Sequence, residues 1–191
     1  MYFPEDMNFQ YFFFNTYPGY FLQVLPIALA AGGLYWSHKR KAGVSPAPFT
    51  REPVCSALLV CYITGLISLT IFIHIISDIW YVLLYHRASG YHHRWLVLEY
   101  YMIPDFFRHF GSESLGNILM YLPFGILYPL SQRDMTWHRT LWVGFSLSLV
   151  IELIQPVFGR SFDINDIILN TLGVLSSATV FFLLRALVCK R

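Results

Sequence analysis

Residues 140–173 read TLWVGFSLSLVIELIQPVFGRSFDINDIILNTLG, and this stretch decides how the rest of the chain is understood. From Thr140 to Phe158 it is nearly uncharged, and as a helix it is long enough to cross roughly 30 Å of hydrocarbon. Yet it carries one acid, Glu152. A carboxylate inside a span costs about 3 kcal/mol unless it is paired, protonated or facing water, so Glu152 is expected to look into a helix bundle or a wet cavity. Gln155 follows three residues later on the same helical face, and both are expected in the outer half of this span, about two turns from its end.

The polar run from Gly159 to Asp166 leads into a second apolar stretch, Ile167–Leu184. If a helix starts near Asp163, then Asp163, Asp166, Asn170 and Gly173 recur at three and four residues and share a stripe that Ser177 continues, expected to face Glu152 and Gln155. Working outward, three more windows of membrane length are found at Tyr20–Ser37, Val54–Ser77 and Ser114–Leu130. The last carries Asn117 near one end, then Pro123 and Pro129, whose missing donors a bilayer tolerates only inside a bundle.

Composition agrees. Of 191 residues, 56% are hydrophobic and 13% charged, against about a quarter charged in soluble globules. Disorder, collagen and a disulfide scaffold are excluded, and a scattered net charge of +2 argues against a nucleic-acid partner. The expected fold class is an all-α transmembrane bundle of about five membrane-spanning helices, with an additional outer interfacial or re-entrant segment over Tyr85–Glu113. The length suits one structural domain, 1–191, in which 1–113 supplies two spans and the outer segment and 114–191 a three-span core.

Lys39, Arg40, Lys41, Arg51, Arg133, Arg139, Arg185, Lys190 and Arg191 fall on one side of these spans, against Arg87, Arg94, Arg108 and Arg160 on the other. The positive-inside bias therefore predicts a multi-pass membrane protein, N-terminus outside and C-terminus cytoplasmic. Phe12, Phe13, Phe14 and Tyr17 before the first span, and Tyr35 and Trp36 at its end, suit the two headgroup levels. Glu5 and Asp6 stand where a signal peptide would carry basic residues, so no cleavage is expected. Cys55, Cys61 and Cys189 match no zinc or redox spacing and read as buried thiols. The His86, Arg87, His92, His93, Arg94 cluster suits anionic headgroups better than a metal, and neither a resident metal nor a cofactor is expected.

Plainer roles compete for the polar residues. Asp163 suits the N-cap of the last helix, Asp166 its positive first turn, and Arg160 a neutralising partner. Asn117, Gln155 and Asn170 suit interhelical hydrogen bonds worth about 0.6 kcal/mol each. Neither capping nor packing accounts for Glu152.

NILMYLPFG at 117–125, ELIQ at 152–155 and RSFDINDIILNTLG at 160–173 together resemble the VanZ family of small bacterial membrane proteins. The resemblance covers about residues 114–184, with the Met102-Ile103-Pro104 element a looser match. It implies a role in tolerance of lipoglycopeptide antibiotics of the teicoplanin type, or in the cell envelope.

Two readings follow. In the first, an outward pocket of Asn117, Glu152, Gln155, Arg160, Asp163, Asp166 and Asn170 binds an amphiphilic or lipid-linked ligand, such as a cell-wall precursor or the lipoglycopeptide itself, among membrane lipids. Arg160, with Arg94 or Arg108, would meet a phosphate or carboxylate. In the second, Glu152, Asp163 and Asp166 are catalytic candidates of an intramembrane enzyme, setting a protonated acid beside an ionised base or holding a divalent cation against a lipid-linked phosphate or acyl group. No serine or cysteine nucleophile motif supports a covalent route. Five spans without an inverted repeat argue against a complete carrier.

Overall fold

The computed structural model describes residues 8–41, 51–90, 95–108, 110–132 and 134–189. Helix α1 (Phe9–Asn15) is followed by α2 (Tyr17–Lys41), α3 (Arg51–Thr70), α4 (Ile73–Tyr85), strand β1 (Tyr100–Tyr101), α5 (Ser112–Ser131), α6 (Trp137–Ile154) with a 3-10 turn (Gln155–Phe158), strand β2 (Phe162–Asp163) and α7 (Ile164–Cys189). The fold is all-α and of membrane type, the two strands being a two-residue pairing at one end of the bundle.

Several helix starts are written locally. Asn8 accepts from the Tyr11 N–H at 2.8 Å, Thr16 from Gly19 at 3.2 Å and Thr136 from Arg139 at 3.4 Å, each satisfying a first-turn donor. The Tyr17–Lys41, Pro53–Thr70, Trp137–Phe158 and Ile164–Val188 segments have the length and apolarity of spans. Helix α5 covers the expected third span, with a polar first turn and with Pro123 and Pro129 inside it.

The expected second span, Val54–Ser77, is corrected: it is two helices broken at Ile71–Phe72. No proline or glycine marks the break. In a continuous helix the Thr70 carbonyl would accept from His74, four residues on; instead it accepts from Arg160 Nη1 at 3.2 Å, while the Thr70 hydroxyl donates to the Leu66 carbonyl at 2.8 Å. Beyond the break α4 leans on α2: Gln23, fully buried, donates to the Phe13 carbonyl, accepts from Ser77 at 2.7 Å and offers its own carbonyl to the Trp80 indole at 2.9 Å.

Helix α5 packs on α7, α3 and α6, inside the bundle as its prolines require. The Tyr62 hydroxyl donates to the Met120 carbonyl at 2.8 Å in the turn before Pro123. Contact with α7 is so close that a Cβ at Gly125 would overlap Ser177 and the Ala178 backbone, and one at Gly173 would overlap the Ile118 carbonyl. Leu66, Ile71, Tyr121, Phe124, Ile151 and Val174 form the core between α3, α5, α6 and α7. Outward faces such as Leu153, Leu183 and Leu187 stay exposed, as lipid-facing surfaces of a membrane protein do. Cys55 and Cys61, expected to be buried, are free thiols half-buried on α3; the Cys189 side chain lies outside the described residues.

At one end of the bundle Ser56 on α3 donates to the Ser131 carbonyl closing α5, at 3.2 Å. The ends of α3 and α6 and the starts of α5 and α7 meet at the other. There the segment from Trp95 to Phe106 forms a strap. Leu96 and Val97 donate to the Val157 and Pro156 carbonyls at 3.3 and 2.8 Å, Phe162 donates to Glu99 at 3.0 Å, and β1 runs parallel to β2 with Tyr100 opposite Phe162 and Tyr101 opposite Asp163. Leu98, Met102 and Ile103 are exposed, in keeping with an interfacial segment. His92, His93 and Arg94 lie outside the described residues.

Candidate functional site

Glu152 sits in the last turn of α6 and is 1% exposed. Its Oε2 accepts from the main-chain N–H of Asp163 at 3.3 Å, its one hydrogen bond among the described residues. An ionised carboxylate has about four acceptor positions, so this one is far from satisfied. Ser148, one turn earlier on the same face, is also buried. Its hydroxyl accepts from Asn170 Nδ2 on α7 at 3.0 Å.

Asp163 is the residue before α7, and its Oδ1 accepts from the Asn165 N–H at 2.8 Å. It is an N-cap, as the plainer reading held, and in the same position it aims its N–H at Glu152. Asp166 in the first turn accepts from Asn117 Nδ2 and so joins α7 to α5. The expected stripe therefore divides between two neighbours: Asp166, Gly173 and Ser177 lie against α5, while Asn170 lies against α6. Glu152, Asp163, Asp166 and Arg160 remain within electrostatic range of one another.

Gln155 is buried in the 3-10 turn beyond α6, not on the α-helix expected for it, and its carbonyl accepts from the Arg160 N–H at 3.2 Å. Gly159, at φ 86, makes the reversal that brings Arg160 back over Gln155. The guanidinium caps the carbonyl end of α3 through Thr70, a position that the negative end of a helix dipole favours. Arg108, a possible partner for a ligand anion, is exposed, and Arg94 lies outside the described residues.

Four residues at this site were not singled out from the chain. Tyr121 is fully buried, and its hydroxyl has no hydrogen-bond partner among the described residues; the same holds for Asn170 Oδ1. Each such orphan costs about 1–3 kcal/mol. Ser148 joins α6 to α7. Asn165 accepts from the Asp105 and Phe106 N–H groups at 3.0 and 3.3 Å and donates to Asp105 Oδ1 at 2.8 Å, fastening the strap. Thr70 receives Arg160. Spacing held a signal for two of them: Tyr121 lies four residues after Asn117, and Ser148 four before Glu152.

Val174, fully buried, presses its methyl groups over Gly144 beside Phe124. Further from the strap end than Ser148 and Asn170, this apolar contact is followed by the buried side chains of Ser177 and Thr140. Among the described residues no three of His, Cys, Asp and Glu converge as a metal site. A cleft of about 300 Å³ lies elsewhere, lined by Phe14, Tyr20, His74, Asp78 and Tyr81 among others, and contains none of the residues of the acidic site.

Fold and site together define a multi-helix membrane protein with a buried acidic centre beneath a strap at one end of its bundle. More particularly, the chain belongs to the VanZ/LLP1 family, whose model matches residues 58–185. Protein VanZ of Enterococcus faecium is 31% identical over 115 residues, covering 57% of this chain and 66% of that protein. The chain thus matches just under two thirds of that relative's length. No solved structure matches it.

Proposed function

We propose that this protein binds an amphiphilic or lipid-linked ligand through the Glu152 site and thereby contributes to teicoplanin-type lipoglycopeptide tolerance or to cell-envelope function. The observation that carries the reading is Glu152 itself: an acid 1% exposed, holding one long hydrogen bond, with two unpartnered polar atoms in the same three-helix interface. Such a group in a lipid-facing fold is retained at a cost in stability, and binding supplies the compensating contacts. Likeness to Protein VanZ directs the choice of ligand class.

In this reading the protein sits in a bacterial cytoplasmic membrane with its N-terminus outside, and the strap end of the bundle faces outward. Asn117, Gln155, Arg160, Asp163, Asp166 and Asn170 shape the site around Glu152. Because the strap crosses the site, the ligand reaches the acid when the strap shifts. Arg160 acts first as a cap for α3 and only second as a ligand contact. Among the described residues no three of His, Cys, Asp and Glu converge as a metal site, so the divalent-cation form of the enzyme reading draws no comparable support.

The test is expression in a teicoplanin-susceptible Gram-positive host. The wild-type chain is expected to raise the inhibitory concentration of teicoplanin, and Glu152→Gln to reduce the rise by a graded amount at equal membrane level. Equal inhibitory concentrations for wild type and empty vector would overturn the reading. Reporter fusions after Arg191, active only in the cytoplasm, check the orientation.

A further inference from the structure

We propose that Tyr121 is a further ligand-contacting residue of the Glu152 site, and that with Asn170 it selects a head group rich in O–H or N–H donors, as in a sugar or a primary amine, over an anionic one. This rests on the ligand-binding reading above and adds the chemistry of the head group.

Tyr121 lies one turn beyond Asn117 on α5 and is fully buried. Its hydroxyl lies against the Ser148 side chain and within electrostatic range of Glu152 and Asp166, but makes no hydrogen bond of good distance and angle among the described residues. A phenylalanine would fill the same space without a polar atom to desolvate, so packing alone does not ask for tyrosine here. Asn170 repeats the pattern: its amide nitrogen is committed to Ser148 at 3.0 Å, and its Oδ1 is left over. The two side chains come from different helices, α5 and α7, and both meet Ser148 on α6.

The kinds of atom left over set the chemistry. Asn170 Oδ1 is an acceptor only, and Glu152 when ionised is an acceptor only, holding one bond at 3.3 Å. The Tyr121 hydroxyl both donates and accepts. The unmet capacity is therefore mainly acceptor capacity, which a ligand meets with donors. The nearest cation, Arg160, places Nη1 on the Thr70 carbonyl at 3.2 Å. A phosphate head would meet carboxylate and carbonyl oxygens of its own sign, whereas a hydroxyl would donate to Glu152 or Asn170 while accepting from Tyr121, and an ammonium would donate to the oxygens of all three.

The experiment uses the full chain in lipid nanodiscs and three probes of one tail length, octyl glucoside, octylamine and octyl phosphate, below their micellar concentrations. Thermal denaturation is read for wild type, Tyr121→Phe and Glu152→Gln. The glucoside or the amine is expected to raise the wild-type midpoint in a saturable way and octyl phosphate to leave it unchanged. Tyr121→Phe should equal or exceed the wild-type midpoint without probe, yet lose at least half of the probe-induced shift. A lower midpoint for unliganded Tyr121→Phe would show that the hydroxyl has a structural partner and overturn the inference. An undiminished shift in that variant, or equal stabilisation by octyl phosphate, would overturn it as well. No stabilisation of wild type by any probe would instead count against the binding reading on which it rests.

Discussion

The main-chain N–H of Asp163 points back at Oε2 of Glu152, 3.3 Å away and eleven residues earlier in the chain. Through this bond the start of α7 and the end of α6 share one acid, so the position that caps a helix also orients the buried carboxyl group. Any group that binds Glu152 is read out at the start of α7 and, through β2, at the strap.

Glu152→Gln keeps size and removes charge. The variant is expected to insert and to melt at or above the wild-type temperature, because a buried, poorly paired charge opposes folding. Asp166→Asn retains a partner for Asn117 and should be equally well inserted. Both should weaken ligand binding by about 1–3 kcal/mol, roughly 5- to 150-fold in dissociation constant. Membrane fractionation with inhibitory-concentration measurements checks this; full tolerance in both variants would reduce the acids to packing.

Asn165→Ala removes three hydrogen bonds between α7 and the strap. Hydrogen exchange over residues 95–106 should quicken by one to two orders of magnitude, about 1–3 kcal/mol of local stability, while α5 and α6 keep their protection. Unchanged exchange in the strap would mean that the β1–β2 pairing holds it alone.

Arg160→Ala leaves the Thr70 carbonyl without its guanidinium. The melting temperature should fall, with a loss of about 1 kcal/mol, and Arg160→Lys should recover part of it because a cation at the end of α3 still meets the helix dipole. Equal melting of all three proteins would remove Arg160 from the account of the α3–α4 break.

Two glycines of α5 should respond in opposite directions. A Cβ at Gly116 meets nothing within 4 Å, so Gly116→Ala should stabilise the helix by about 0.5–1 kcal/mol. At Gly125 the added carbon overlaps Ser177 and the Ala178 backbone, and Gly125→Ala should lose about 1–3 kcal/mol. Detergent-resistance assays on the two variants compare them directly.

Much of this was legible in the chain. Runs of apolar residues marked the spans near 20–37, 140–158 and 167–184 to within a few residues of the helices found, because a membrane span is a local property of composition and length. The place of Asp163 just before the last apolar run suited a cap, and Glu152 stood out because its cost in hydrocarbon needs no knowledge of neighbours.

Tertiary structure decided the rest. The break after Thr70 depends on an arginine ninety positions later, and no local pattern announces it. Tyr121 looked like one aromatic among many until α6 and α7 closed around its hydroxyl, and Asn165 like a loop residue until the strap lay across it. A side chain's period and hydropathy are carried along the chain, but which partner answers a given polar atom depends on helices brought together in space, and that pairing is set by the packing of the whole bundle.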